Sequence, residues 1–216
     1  VDQLDEHSVT LGDGTVIRAE RVISAVPAER LVAMASNELK ATDPRVAAAA
    51  AVTHSPILGV HMEFDRPVMA TPHAVLVETG TQWLFAKDDE GRCVHAVISG
   101  ADEWMDLSEA EIGRRVAAGD AQLISCRPVK EKRATFAPTP HVEAARATAT
   151  TERRDQTIGA SPSRGLVLAG DWTNTGWPAT MEGSTRSGYA AAAAVLGEPV
   201  ENLLIADPPI AALARV

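Results

Sequence analysis

Residues 165–197, GLVLAGDWTNTGWPATMEGSTRSGYAAAAAVLG, constrain this chain more than any other stretch. A short apolar run, Leu166-Val167-Leu168-Ala169, ends in Gly170-Asp171. A loop of Trp, Thr, Asn, Gly and Pro follows, and small residues from Thr180 to about Leu196 then read as a helix. The order is a buried strand, a glycine and a carboxylate, and a helix N-terminus a few residues later. That arrangement suits a polar, partly anionic cofactor at the carboxyl end of a sheet. On the helix, Gly183, Ser184, Ser187, Gly188 and Ala191 leave little side-chain bulk, so one face can approach a sheet or a cofactor closely. Glu182 in the first turn suits the helix dipole. Asp171 can accept hydrogen bonds from a sugar or ribityl hydroxyl, or it can cap the following turn. Gly170 lets a ligand approach the backbone. Spacing alone leaves both readings of Asp171 open.

The rest of the chain reads as mixed α/β. Asp13-Gly14 between short alternating segments marks a hairpin over residues 8–18. Residues 22–26 (VISAV) form a nearly continuous apolar run, expected to be covered on both faces. Pro27 opens a short helix, and Asp43-Pro44 pairs a cap with a first-turn proline ahead of an Ala-rich helix. From Ser55 the character changes. Residues 56–64, 73–77, 82–86 and 93–98 are candidate strands separated by turn-like segments, so an antiparallel sheet is expected. Ser108 and Glu111 make a capping box, with Ile112, Val116 and Leu123 expected on the buried face of the helix behind it. Residues 128–136 read as one more strand, and residues 139–164 as an exposed polar connection.

Charge narrows the function classes. With a net charge of −9, a pI near 5.1 and no basic run, nothing neutralises phosphates, which excludes non-specific nucleic-acid binding. Aromatics make up only 4% of residues, so Ala, Val and Leu must build the core. The six histidines form no ligand array, and Cys93 and Cys126 form no CxxC pair, so no metal site is expected. No G-x-S-x-G or P-loop is present, and no catalytic residue stands out. Trp83 and Phe85 share one strand face, where they either line an apolar cavity or belong to the core.

LAGDWTNTGWPATMEGSTRSG resembles the C-terminal FAD-binding signature of the flavin amine oxidase and phytoene desaturase superfamily. Residues 82–85 (QWLF), 131–136 (EKRATF) and 19–27 (AERVISAVP) further resemble the squalene-associated FAD-dependent desaturases, the hydroxysqualene dehydroxylases. The resemblance implies the C-terminal part of a Rossmann-like, two-domain FAD/NAD(P)-binding fold with an antiparallel-sheet substrate domain. Residues 1–53 and 130–198 would belong to the FAD domain, 54–129 to the substrate domain, and 199–216 to a tail.

Carried over, Gly170 and Asp171 would meet the ribityl or phosphate part of FAD. Ala179, Thr180, Met181 and Glu182 would lie beside the flavin ring, and Val26 near the adenine or pyrophosphate side. Trp83, Phe85 and Trp177 are substrate-cavity candidates, and Trp177 stands where the family has Leu. The implied chemistry is FAD-dependent conversion of hydroxysqualene to squalene, of the kind used in hopanoid biosynthesis. A carotenoid desaturase, an amine oxidase and a non-catalytic fragment are the alternatives.

The family's GxGxxG unit is absent from these 216 residues, and the chain begins without Met. It is therefore expected to be a piece of a longer protein, to bind FAD weakly or not at all without that Rossmann half, and to be inactive alone. With no apolar run of transmembrane length and no signal-peptide pattern, a cytoplasmic location is expected, with peripheral contact at the inner face of the membrane through an apolar isoprenoid substrate.

Overall fold

The computed structural model describes residues 1–117, 119–150 and 165–205. The chain opens with β1 (Gln3–Leu4), β2 (Ser8–Thr10), β3 (Val16–Arg18) and β4 (Val22–Ser24), followed by α1 (Ala28–Met34), α2 (Asn37–Thr42) and α3 (Pro44–Ala50). Next come β5 (His54–Phe64), β6 (His73–Val75), β7 (Trp83–Ala86), β8 (Cys93–Ser99), α4 (Glu109–Val116) and β9 (Leu123–Phe136). Helix α5 (Pro140–Ala145), β10 (Leu166–Leu168) and α6 (Met181–Leu196) complete the described elements. Two compact units result, one of Val1–Thr53 with Pro138–Val216, the other of His54–Ala137.

In the first unit, β1, β2 and β3 form an antiparallel sheet. Its hairpin turns at Gly14, whose φ of +82° only glycine adopts readily, and the Asp13 carboxylate accepts from the Thr15 N–H at 2.9 Å. Strands β4 and β10 pair in parallel, Val22 opposite Leu166. Strand β10 is wholly buried, but Ile23 of β4 is 49% exposed. The expectation that residues 22–26 are covered on both faces is therefore corrected. A paired strand covers an edge and not a face, and the half-exposure of Ile23 shows that one face of β4 has no layer packed fully over it.

Asp43 caps α3 with Pro44 at the first helical position, as the sequence predicts. Asp43 also grips Arg45 in a buried pair at 2.6 Å, and the Arg45 guanidinium donates to Ala149 O (2.7 Å) and Leu166 O (2.8 Å). The start of α3 is thereby tied to the start of β10. Helix α2, capped by Ser36, is missed by the sequence reading.

Residues 139–150 are not an exposed connection. Thr139 caps α5, and Arg146 and Ala147 after it are buried. Residues 151–164 of that segment, and 206–216 of the tail, lie outside the described residues. Helix α6 starts where the sequence places it. Thr180 Oγ1 accepts from the Gly183 N–H, and Gly197 ends the helix at φ +71°.

The second unit is a five-stranded antiparallel sheet in the order β6-β7-β8-β5-β9. Leu58, Val60, Met62 and Phe64 alternate along one face of β5 and meet Val94, Ala96 and Ile98 of β8, with Ile112 of α4 in the same cluster. Each such side chain contributes about 1.5–3 kcal/mol by burial, and this face holds the unit together. Ser108 caps α4 as its box predicts.

Two expectations are corrected here. Helix α4 ends at Val116, and Leu123 reaches the same cluster from β9. Strand β9 then pairs with β5 as far as Phe136, so the expected boundary at 129/130 falls inside a strand, and the unit ends at Ala137. A strand cannot leave its sheet mid-ladder without stranding backbone donors and acceptors.

Candidate functional site

Parallel pairing puts the carboxyl ends of β4 and β10 on one edge, where the Ala169 N–H donates to Ser24 O at 2.9 Å. Trp172 Nε1 spans that edge and donates to Val26 O at 3.0 Å. Gly170 has a φ of +139°, and a Cβ built there would lie 2.6 Å from Trp172 Nε1. Its N–H donates to Ser187 Oγ at 2.8 Å, and the Ser187 hydroxyl donates to Ser184 O at 2.6 Å. Gly170 thus lets strand, tryptophan and helix meet, a role the sequence reading assigned only to a ligand.

The turn after β10 is closed by Thr173, whose N–H and hydroxyl both donate to Gly170 O (3.0 and 2.8 Å). Asp171 is not its cap. Its half-buried carboxylate accepts no hydrogen bond from the described residues. A carboxylate without a donor among the described residues, at the carboxyl end of a parallel pair, fits a hydroxyl-bearing cofactor.

Arg146 is the residue that sequence reasoning missed. Its buried guanidinium donates through Nη2 to Asp171 O (3.1 Å), Thr173 O (2.6 Å) and Trp177 O (2.7 Å), and through Nη1 to Glu143 (2.9 Å). One side chain thereby gathers three carbonyls of the loop before α6. Nothing near Arg146 in sequence signals this, because the three carbonyls lie 25 to 31 residues away.

At the helix N-terminus Met181 is 89% exposed. Ala179 is half-buried and Thr180 exposed, with the Thr180 hydroxyl oxygen spent on capping. Early amides of a helix lack intrahelical partners, so this end offers donors and a positive dipole end. Glu182 is committed to an ion pair with Arg186 at 2.7 Å, and the Arg186 guanidinium lies 4.6 Å from the centroid of the Trp177 ring. The three side chains hold the loop against the first turn of α6.

Trp83 and Phe85 belong to the other unit. Their rings are stacked at 6.0 Å and remain 42% and 36% exposed, so they are not core. They lie on the sheet face opposite the Leu58–Phe64 cluster, the face that also carries His95 and His61. Burial, then the charges of His61 and Lys87, hold the His95 pKa below the usual histidine value. Val26, Gly170, Asp171, Trp177, Ala179, Thr180, Met181 and Glu182 all fall in the first unit, around one strand–loop–helix. Among the described residues no group of three or more His, Cys, Asp or Glu is arranged to hold a metal, and no helix is long and apolar enough to cross a membrane.

A parallel strand pair meeting a capped, small-residue helix, with an antiparallel-sheet unit in the same chain, is an arrangement found in solved FAD-dependent oxidoreductases. Reduced UDP-galactopyranose mutase shares it, with a TM-score of 0.62 and 14% identity over 96% of this chain and 48% of that one. Cyclohexylamine oxidase from Brevibacterium oxydans does so with a TM-score of 0.59 and 19% identity, over 92% of this chain and 47% of that one. Residues 1–196 match the model of the flavin containing amine oxidoreductases, and the chain belongs to that family.

Among its relatives is a hydroxysqualene dehydroxylase from Sinorhizobium fredii, 36% identical over 149 residues, which are 66% of this chain and 33% of that protein. A 15-cis-phytoene desaturase from Narcissus pseudonarcissus is 25% identical over 210 residues, 86% of this chain and 35% of that protein. The chain spans about a third of the length of these curated relatives.

Proposed function

We propose that the protein carrying this chain is an FAD-dependent oxidoreductase of isoprenoid lipids, and that it converts hydroxysqualene to squalene. The observation that carries the cofactor half of this reading is the Asp171 carboxylate, left without a donor among the described residues in the turn that joins β10 to the loop before α6. Asp171 would accept from a ribityl hydroxyl, and the first-turn amides of α6 would favour negative charge on the ligand. Val26, whose carbonyl is held by Trp172, keeps the neighbouring strand end in place. A bound flavin supplies the hydride chemistry, and this chain supplies one wall of its site. The substrate half rests on relatives named hydroxysqualene dehydroxylase at 32–36% identity. Peripheral contact with a membrane surface is part of the same proposal, because so apolar a substrate dissolves in lipid.

A specific observation favours a second reading, a carotenoid-type desaturase. The phytoene desaturases align along 86–88% of the chain, against 59–66% for the hydroxysqualene dehydroxylases, although at lower identity.

The test expresses the whole reading frame that carries this chain, and follows flavin absorbance anaerobically. Hydroxysqualene is expected to reoxidise the reduced flavin, while phytoene and a primary amine leave the oxidised flavin unchanged. Bleaching by phytoene selects the second reading, and no response to any of the three refutes both. Asp171→Ala is expected to lower FAD affinity about ten- to hundredfold, the value of one hydrogen bond to a charged group.

A further inference from the structure

The open face of the five-stranded sheet is apolar along one row and lined by imidazoles along the next. Val75, Trp83, Val97, Gly59 and Val129 are in register across β6, β7, β8, β5 and β9. Val75, Trp83 and Val129 are each about half exposed. The adjoining row runs His73, Phe85, His95, His61, Arg127. Gly59 leaves the middle of the apolar row without a side chain, and the His95 ring lies over it. A Cβ at Gly59 would lie 2.9 Å from His95 Nε2. His61 stacks on His95 with ring centroids 4.2 Å apart and planes within 4°.

Burial and the facing His61 ring favour the neutral form of His95. A neutral imidazole offers one N–H donor and one lone pair. A hydroxyl is likewise both donor and acceptor, and it needs a partner when it is taken out of water onto an apolar surface. The charged groups on or bordering this face are Lys87, Arg127, Glu63 and Glu131. Over Gly59 itself the polar group is the His95 ring.

We propose that the stacked His61–His95 pair is the hydroxyl-binding site for an isoprenoid alcohol, whose hydrocarbon chain lies along the row of Val75, Trp83, Val97 and Val129. This rests on the isoprenoid reading above. The apolar row binds any isoprenoid chain, and the imidazoles select the one that carries a hydroxyl. Gly59 is the positioning residue, because any side chain there pushes the His95 ring off its seat.

The test titrates farnesol and the hydrocarbon farnesene into the flavin-loaded protein. NMR follows the Trp83 indole N–H, assigned with Trp83→Phe, and the histidine ring C–H resonances. Wild-type protein is expected to bind farnesol about tenfold more tightly than farnesene, the net worth of one hydrogen bond, with shifts at His61 and His95. His95→Phe and His61→Phe each abolish that preference and leave farnesene affinity within about twofold, and Gly59→Ala reduces the preference without removing either imidazole. Thermal melts establish that each variant is folded. A preference that survives His95→Phe, or equal binding of the two ligands by wild type, overturns the assignment while leaving the isoprenoid reading standing. Failure of wild type to bind either ligand overturns both.

Discussion

Replacing Arg146 with Met keeps most of its volume and removes its charge and its donors. Three loop carbonyls, those of Asp171, Thr173 and Trp177, then lose their shared partner, and Glu143 loses its ion pair. Hydrogen bonds to a charged group are worth about 1.5–3 kcal/mol each. The three do not sum, because the loop can relax and admit water. Breaking a buried charged network costs about 3–5 kcal/mol, and the Arg146 side chain, 3% exposed, belongs to that class. At roughly 2–4 °C per kcal/mol for a chain of this size, Arg146→Met should lower the melting temperature by about 6–20 °C. Arg146→Lys restores a charge without the planar fork and should recover part of the loss. The loop carries Asp171, so flavin should leave the variant at temperatures below its unfolding. Circular dichroism and flavin fluorescence, followed in the same thermal scan, measure the two events. A melting temperature within about 2 °C of wild type, with flavin retained, would refute the claim that Arg146 organises the loop.

Gly170→Ala places a Cβ 2.6 Å from Trp172 Nε1 on a backbone at φ +139°, so a cost of about 1–3 kcal/mol and weakened FAD retention are expected. Equilibrium denaturation and bound-flavin absorbance check it. His95 has a folded pKa below its unfolded value of about 6.5. The unfolded chain therefore binds that proton more readily, and stability falls as pH drops through about 6.5 toward the folded value. Denaturation midpoints measured between about pH 8 and pH 5 should show this slope, and His95→Phe should flatten it.

Features written in neighbouring residues were legible in the sequence. Asp13-Gly14, Asp43-Pro44, the Ser108 box and the Thr180 start of α6 depend on groups within a few positions of one another, and each lies where it was read. So was the strand–loop–helix around Asp171, because its order and its glycine are local. The extent of β9 was not, because its ladder is set by β5 some 70 residues earlier, and its charged half does not look like a strand in isolation. The half-exposure of Ile23 escaped for a related reason. An apolar run records that a residue can be buried, while its neighbours decide whether it is.

By itself the sequence determined the family, the strand–loop–helix and the residue types at its turn, since these rest on short-range chemistry. The tertiary structure alone decided that Thr173 rather than Asp171 closes the turn. It also decided that Arg146 gathers the loop, and that His61 and His95 face each other across two strands. Each of these is a contact between groups far apart in the chain, and only the folded register brings such groups within hydrogen-bonding or stacking distance.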